Sequence, residues 1–356
     1  MAIRQLSLTD FRNLKSTTLD FDPRLNLISG PNGSGKTSLL EAIYVLCQAH
    51  SFRTHQIKQC IQHGKKGFLL FGRFDGYKAG LAKSDSKLEI RIDGETVKRR
   101  SDLVRRSPVN IVNAEIIQLI EGTPRKRRDF LDWCLFHVEP GYAEYWRKFQ
   151  HALKQRNSLL KSRKNRELLD YWDQHLLEPS LKISKMRRRY CSALGKILLT
   201  ELGKILSGLS LELDYHPGWP QHQDLTEALG NSRERDIRGG FTSVGIHRDD
   251  IDLTSAGRKV GEFVSRGQSK RLCLALLLAV LKLVHKNQEN RIILLIDDLH
   301  SELDSEAQKL VYEQLAEMDL QLFISNIDSA VPGPIKVKEF KLFHVEHGTI
   351  KPQKIS

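Results

Sequence analysis

Residues 30–37 read Gly-Pro-Asn-Gly-Ser-Gly-Lys-Thr, the G-x-x-x-x-G-K-[ST] spacing of a phosphate-binding loop. Its chemistry is that of an anion cradle. Gly30, Gly33 and Gly35 let backbone N–H groups converge on phosphate oxygens, with Pro31, Asn32 and Ser34 completing the loop. Lys36 is expected to reach the β- and γ-phosphates of a nucleotide. Thr37 is expected to offer its hydroxyl to Mg2+, which takes oxygen ligands. Far downstream, "RIILLIDDLHSELD" (291–304) ends an aliphatic run in Asp297 and Asp298. Asp297 is expected to hold Mg2+ through water, and Asp298 to polarise an attacking water. Alone, that segment reads equally well as a strand followed by an acidic turn; the loop at residue 30 tips the balance. From Phe263, "FVSRGQSKRL" sets Ser265, the N–H of Gly267 and Gln268 at the start of a long apolar helix. That is a second anion-facing terminus, unless Ser265 is an ordinary N-cap.

Such groups need elements to hold them. "LNLISG" (25–30) supplies the apolar strand leading into the loop, and a helix begins near Lys36. The aliphatic run before Asp297 has the form of a buried parallel strand that delivers acids at its C-terminal end. With 356 residues and 40% hydrophobic content, two or three domains with sizeable cores are expected. The five cysteines (Cys47, Cys60, Cys134, Cys191, Cys273) are scattered, without a C-x-x-C pair or a His/Cys cluster, which argues against disulfides and zinc and for a reducing cytoplasm. "MAIRQLSLTDF" lacks the apolar core of a signal peptide, and "LCLALLLAVLKLV" is too short and lysine-interrupted to span a bilayer, so no membrane partner is expected. His247, Asp249 and Asp250 in "GIHRDD" could suggest a metal cluster, but a turn with salt-linked charges fits better, since no second ligand group accompanies them.

The net charge is +13, which points to a polyanionic partner. From Trp146 to about Leu206 the pattern is helical, and Pro179 is expected to split it into the two helices of a hairpin arm. In the first, Trp146, Phe149, Leu153 and Leu160 share a face while Arg147, Lys154 and Lys161 form a separate stripe. In the second, Lys182, Lys185, Arg189 and Lys196 run beside Ile183, Met186, Tyr190 and Ile197. Residues 147–204 carry fifteen Lys/Arg against five Asp/Glu, a net of +10, and this one-sign surplus favours phosphate contact over a merely solvated face. These seven basic residues are the candidate DNA contacts. Heptads are not sustained for a long coiled coil, so the arm is short.

The motif order, phosphate loop, Ser-Arg-Gly-Gln, "ILLIDD", "SELD", is that of ABC-type ATPases, in which two chains pack head to tail and each ATP lies between the loop of one and the Ser-x-Gly-Gln element of the other. With "LTDFRNLKS", "PNGSGKTSLLEAI", "GTPRKRRDFLDW", "FHVEPGY", "KQRNSLL" and "GIHRDD", the chain resembles the RecF family of bacterial recombination and repair proteins, relatives of the SMC proteins, from its N-terminus to about Asp304. The resemblance implies an α/β fold: an ABC-type P-loop ATPase head made from residues 1–120 and 241–356, with a helical arm domain inserted at 121–240. It implies Arg12 and Asn13 bordering the nucleotide and Asp304 lying across a dimer interface. It further implies a weak DNA-dependent ATPase acting as a switch: ATP and Mg2+ drive a homodimer that closes over double-stranded DNA near gaps, and hydrolysis reopens it. RecR as partner, RecO in the same pathway, help in loading RecA on gapped DNA and a part in the SOS response come with the likeness.

Three departures from the family pattern stand out. "IVNAEIIQ" replaces an F-x-P-E-type stretch, Ile246 replaces the proline of "GPHRDD", and "LQLFISNID" (320–328) carries no histidine after the last core strand. Together with Asp298 in place of the commoner glutamate, this implies slow hydrolysis. Two rival readings are an ABC-type subunit of another machine, such as a transporter, and a DNA scaffold with vestigial hydrolysis.

Overall fold

Strand patterning in the chain is of two kinds, alternating and unbroken. The computed structural model describes residues 2–54, 56–112, 120, 122–139, 141–162, 166–205, 210–286, 292–298, 305–327 and 339–353. The first elements are β1 (Ile3–Thr9), β2 (Thr17–Asp20), β3 (Leu25–Ser29), α1 (Lys36–Gln48), β4 (Gly67–Phe74), β5 (Tyr77–Ser84), β6 (Leu88–Ile92), β7 (Glu95–Thr96), α2 (Arg100–Arg106) and β8 (Val109–Val112). Next come α3 (Pro124–Val138), α4 (Tyr142–Ser162), α5 (Leu169–Ile205), β9 (Glu212–His216), α6 (Leu225–Gly239), β10 (Asp250–Ser255), β11 (Arg258–Lys259) and α7 (Arg266–Lys286). The chain continues with β12 (Ile292–Asp297), α8 (Ser305–Ala316), β13 (Leu320–Asn326), β14 (Lys341–Glu346) and β15 (Thr349–Gln353).

Contacts divide the chain into two compact units, residues 1–116 with 285–356, and residues 117–284. In the first, the antiparallel sheet runs β2-β1-β4-β5-β6-β7, and β4 alternates buried and accessible residues as a sheet with one covered face should. The other sheet runs β15-β14-β3-β13-β12-β8 and is parallel except for the β14–β15 hairpin. In it β3 is buried along its whole length, and β12 and β13 up to their last residues, because a parallel sheet is covered on both faces. Helix α1 is buried along nearly its whole length. Its Leu39, Leu40, Ile43 and Leu46 join one core with Leu6 and Leu70 of the antiparallel sheet and Ile28 and Leu295 of the parallel one. The register sets Asp297 beside Ser325, and Asn326 beside Ser29, so three strands end together where the phosphate loop begins.

In the second unit, α4 and α5 pack as a hairpin beside the three-stranded sheet β11-β10-β9. The division expected at 240 falls inside this unit, because β10 pairs with β9 and ties residues 250–255 to 212–216. Pro179 does not split the arm. It lies within α5, and the interruption comes earlier, around the short 3-10 turn Arg166–Leu168. Proline removes one backbone donor from the helix, yet Leu176, Ile183, Tyr190 and Leu194 are buried on both sides of it. Packing of that apolar face carries the helix through.

Among the described residues of this unit, two arginines are fully buried. Arg156 donates from Nε to Asp173 at 2.5 Å and from NH1 to Asp236 at 2.7 Å and Thr242 Oγ1 at 2.9 Å. Arg187 pairs with Asp132 and Asp249 and donates to the Ile246 carbonyl at 2.9 Å. Part of the arm's positive surplus is therefore internal, pinning α4 and α5 to α3, α6 and the segment before β10.

Candidate nucleotide site and basic helical surface

A cavity of 1210 Å³ opens in the first unit, lined by Arg12, Asn13, Asn32, Gly33, the stretch from Gly35 to Ser38, Arg53, Asp297 and Asp298 among others. Gly30 has φ 146°, and a Cβ there would collide with the Val345 carbonyl of β14, so the strand-to-loop turn requires glycine. The loop is held from a side that the motif does not reveal. At the tip of the β14–β15 hairpin, the Gly348 N–H donates to the Ser34 carbonyl at 2.9 Å and the Gly348 carbonyl accepts from Lys15 at 2.8 Å. Lys36 folds back on the loop, its Nζ donating to the Gly30 and Pro31 carbonyls at 2.6 and 3.0 Å. Burial pushes its pKa below the usual lysine value, against the pull of Asp298 and Asp297. Such an ammonium is well placed to exchange carbonyl oxygens for phosphate oxygens.

Thr37, the second residue of α1, donates its hydroxyl to both carboxylate oxygens of Asp297, at 2.9 and 3.1 Å. Ser325 Oγ donates to the same carboxylate at 2.7 Å and accepts the Asp298 N–H at 3.1 Å. Asp298 takes the left-handed conformation, φ 53°, which turns the chain immediately after β12. A hydroxyl and a carboxylate form a hard-oxygen set, and with the loop N–H groups and Lys36 they fit an anionic polyphosphate carrying a divalent cation. Ser325 carries no motif; its sign in the sequence is a serine near the end of the largely apolar β13, and in the structure it is fully buried.

Arg12 and Asn13 both line the cavity. Asn13 Oδ1 accepts from Ser38 at 2.8 Å. The Arg12 guanidinium is bound by the buried Glu41 of α1, at 2.8 Å from Nε and 2.5 Å from NH2, and donates to the Gln59 carbonyl at 2.8 Å. Burial disfavours its charge, but the Glu41 hydrogen bonds and charge outweigh this and raise its pKa. Glu41 also accepts from Ser51 and stands 3.4 Å from Arg53. An acid inside the otherwise apolar "SLLEAIYVL" was the available sign of this.

In the second unit, Ser265, Gly267 and Gln268 are exposed at the N-terminus of α7. The Ser265 N–H donates to Gln268 Oε1 at 2.8 Å and Ser265 Oγ accepts the Gln268 N–H at 3.3 Å. This is a reciprocal capping box, so the ordinary N-cap geometry is present, and both side chains still face solvent. Asp304 lies outside the described residues.

Arg147, Lys154 and Lys161 on α4 and Lys182, Lys185, Arg189 and Lys196 on α5 are all exposed. Arg189 is the one whose charge is partly spent, in an ion pair with Glu139. "GIHRDD" is a salt-linked turn: Asp249 meets Arg187 and the Tyr215 hydroxyl, Asp250 takes Arg127 through two bonds of 2.7 and 2.8 Å, and His247 Nε2 donates to the Thr242 carbonyl at 2.9 Å. Burial lowers the His247 pKa to about 4. Among the described residues no group of three or more His, Cys, Asp or Glu is arranged to hold a metal, and no helix is long and apolar enough to cross a membrane.

The model of the RecF/RecN/SMC N-terminal domain matches residues 2–351. The DNA replication and repair protein RecF of Pseudoalteromonas translucida is 38% identical over 362 residues, 98% of this chain and 99% of that protein. Its counterpart in Shewanella baltica (strain OS223) is 34% identical over 361 residues, with the same coverage. The chain belongs to the RecF family of DNA replication and repair proteins. A solved structure of the recombination mediator protein RecF with ATP, in the RecFOR pathway, matches with a TM-score of 0.89 at 27% identity over 99% of each chain. The fold is thus the ATPase head of that family with its inserted helical part. Two of the three departures from the RecF family pattern fall on described residues, and "IVNAEIIQ" lies mostly outside them. Ile246, in the proline's position, is fully buried and lends its carbonyl to Arg187. The end of β13, where the histidine is missing, presents Ser325 against Asp297.

Proposed function

We propose that the chain is a cytoplasmic, ATP-dependent DNA-binding switch of recombinational repair, a weak DNA-dependent ATPase whose two states are an ATP-closed homodimer and an open monomer. The observation that supports it most is the meeting of Thr37 and Asp297 beside Lys36, hydroxyl, carboxylate and ammonium around one glycine loop. In this reading Gly30 to Thr37 cradle ATP, with Arg12 and Asn13 bordering it, and Thr37 and Asp297 hold Mg2+. The ion, when bound, would neutralise charge on the phosphates. Asp298 accepts the proton of the attacking water as the bond from the γ-phosphorus to its bridging oxygen breaks, giving ADP and phosphate.

Ser265, Gly267 and Gln268 of one copy, with Asp304, complete the site of the other. Closure brings the basic faces, Arg147, Lys154, Lys161, Lys182, Lys185, Arg189 and Lys196, onto double-stranded DNA beside gaps. The shared family supports RecR as partner, RecO in the same pathway, RecA loading and a part in the SOS response. A steady-state ATPase assay with and without gapped duplex tests the switch. DNA-stimulated turnover is expected; turnover absent under both conditions would instead favour a scaffold.

A further inference from the structure

A fully buried acid stands at the wall of the phosphate cavity, where its charge alone would repel phosphate. Glu41 of α1 has no exposed surface, yet it is bonded to Arg12 and Arg53, two residues that line that cavity. A carboxylate is costly to bury unless donors surround it. Four residues supply them: Arg12 through Nε at 2.8 Å and NH2 at 2.5 Å, Ser51 Oγ at 2.5 Å, Arg53 NH1 at 3.4 Å and Cys60 Sγ at 3.6 Å.

Arg12 is the most firmly held of these. Its backbone lies in the left-handed region, φ 52°, which is uncommon for a residue with a side chain, and its N–H donates to the Cys60 carbonyl at 2.8 Å. In the side chain, NH1 donates to the Gln59 carbonyl at 2.8 Å, while Nε and NH2 go to Glu41. A guanidinium has five N–H groups. One is thus committed on each nitrogen, and one N–H remains on NH1 and on NH2, in a side chain that is 20% exposed. Arg53 is held by a single long contact to the same acid and is 45% exposed.

We propose that Glu41 is a positioning residue of the nucleotide site, resting on the reading of the cavity as an ATP site: it orients the Arg12 guanidinium so that its two uncommitted N–H groups meet the phosphates. A planar fork gripped by both carboxylate oxygens is fixed in rotation. Its freedom is therefore lost on folding rather than on binding, which favours affinity. Charge and positioning predict opposite signs for the loss of this acid. If charge decided, removing a negative group beside the phosphates would tighten ATP binding. If orientation decides, removing it weakens binding.

The test titrates the full-length protein with a fluorescent ATP analogue in Mg2+. Glu41→Gln, which keeps size but loses the charge and one acceptor, is expected to weaken binding about 5- to 50-fold, within the worth of one charge-assisted hydrogen bond. The loss should run through Arg12: Arg12→Ala should weaken binding at least as much, and Glu41→Gln added to Arg12→Ala should weaken it no further. In steady-state turnover the loss should appear in KM, with kcat kept within about threefold. Unchanged or tighter binding by Glu41→Gln overturns the proposal. Additive losses in the double variant, which a general structural defect would give, overturn it too, as does a fall in kcat at parental KM. Should Glu41→Gln not fold, Arg12→Lys probes the same fork, because it keeps the cation and loses the planar grip. A loss close to that of Arg12→Ala is then expected, and parental affinity overturns the proposal. Lys36→Ala separates the two readings. If it impairs binding while Glu41→Gln binds as the parent does, the ATP site stands and the positioning falls; if the parent itself binds no ATP, both fall.

Discussion

Thr37 and Asp297 are 260 positions apart in the chain, and the Thr37 hydroxyl donates to both oxygens of the Asp297 carboxylate. The parallel sheet makes this meeting. It ends β3 and β12 on the same edge with β13 between them, and Ser325 of β13 bonds the same carboxylate. If the pair holds a divalent ion, Thr37→Val, which keeps the side-chain shape, should remove most of the Mg2+ dependence of ATP binding. A loss of about tenfold or more, roughly 1.4 kcal/mol, is expected when Mg2+ is present, and little change in its absence. Titration of a fluorescent ATP analogue in Mg2+ and in EDTA measures both.

Asp298→Asn keeps volume and removes the carboxylate proposed as the base. Turnover should fall by roughly 10²- to 10⁴-fold while ATP affinity is kept, so that ATP-bound protein persists on DNA. Turnover at the parental rate would assign water positioning to another group.

Arg187 is buried between Asp132 and Asp249, and removing one partner of such a pair leaves an uncompensated charge. Arg187→Met should destabilise the helical unit by about 3–5 kcal/mol. Urea unfolding should show this as a separate, earlier loss of helical signal, with ATP binding by the other unit retained.

What could be read from the sequence follows from how local each signal is. The strand, loop and helix from Leu25 to Gln48 are set by neighbouring residues, as are the acids ending β12, and both were legible. Arg156 and Arg187 were not distinguishable from exposed Arg189, because their partners Asp236 and Asp249 lie 80 and 62 residues away. Pro179 misled for the converse reason: a local helix-breaking signal was overridden by burial of Leu176 and Ile183 on either side of it. Ser265 looks the same in sequence as cap or clamp, and the exposed capping box with Gln268 leaves it competent for both. Glu41 and Gly348 act through distant groups, Arg12 and Ser34, that no motif joins to them.

His247 supplies a pH dependence with a definite sign. Its pKa is lowered to about 4 by burial, so the folded protein keeps it neutral where the unfolded chain, near 6.5, takes up a proton. Stability should therefore be full above about pH 6.5 and decline as pH falls from there toward 4, by up to roughly 3 kcal/mol. Urea midpoints between pH 7 and 5 should drop less steeply in His247→Gln than in the parent.

Sharing of ATP by two copies through Ser265 is tested most directly by the molar mass in solution, measured by light scattering with and without ATP, for the parent and for Ser265→Arg. The parent should be monomeric alone and dimeric with ATP. Ser265→Arg should bind ATP with near-parental affinity as a monomer and stay monomeric, because a bulky cation would occupy the clamp. A parent whose mass ignores ATP, or a Ser265→Arg variant that dimerises normally or loses monomer ATP affinity as fully as Lys36→Ala does, would contradict the composite site.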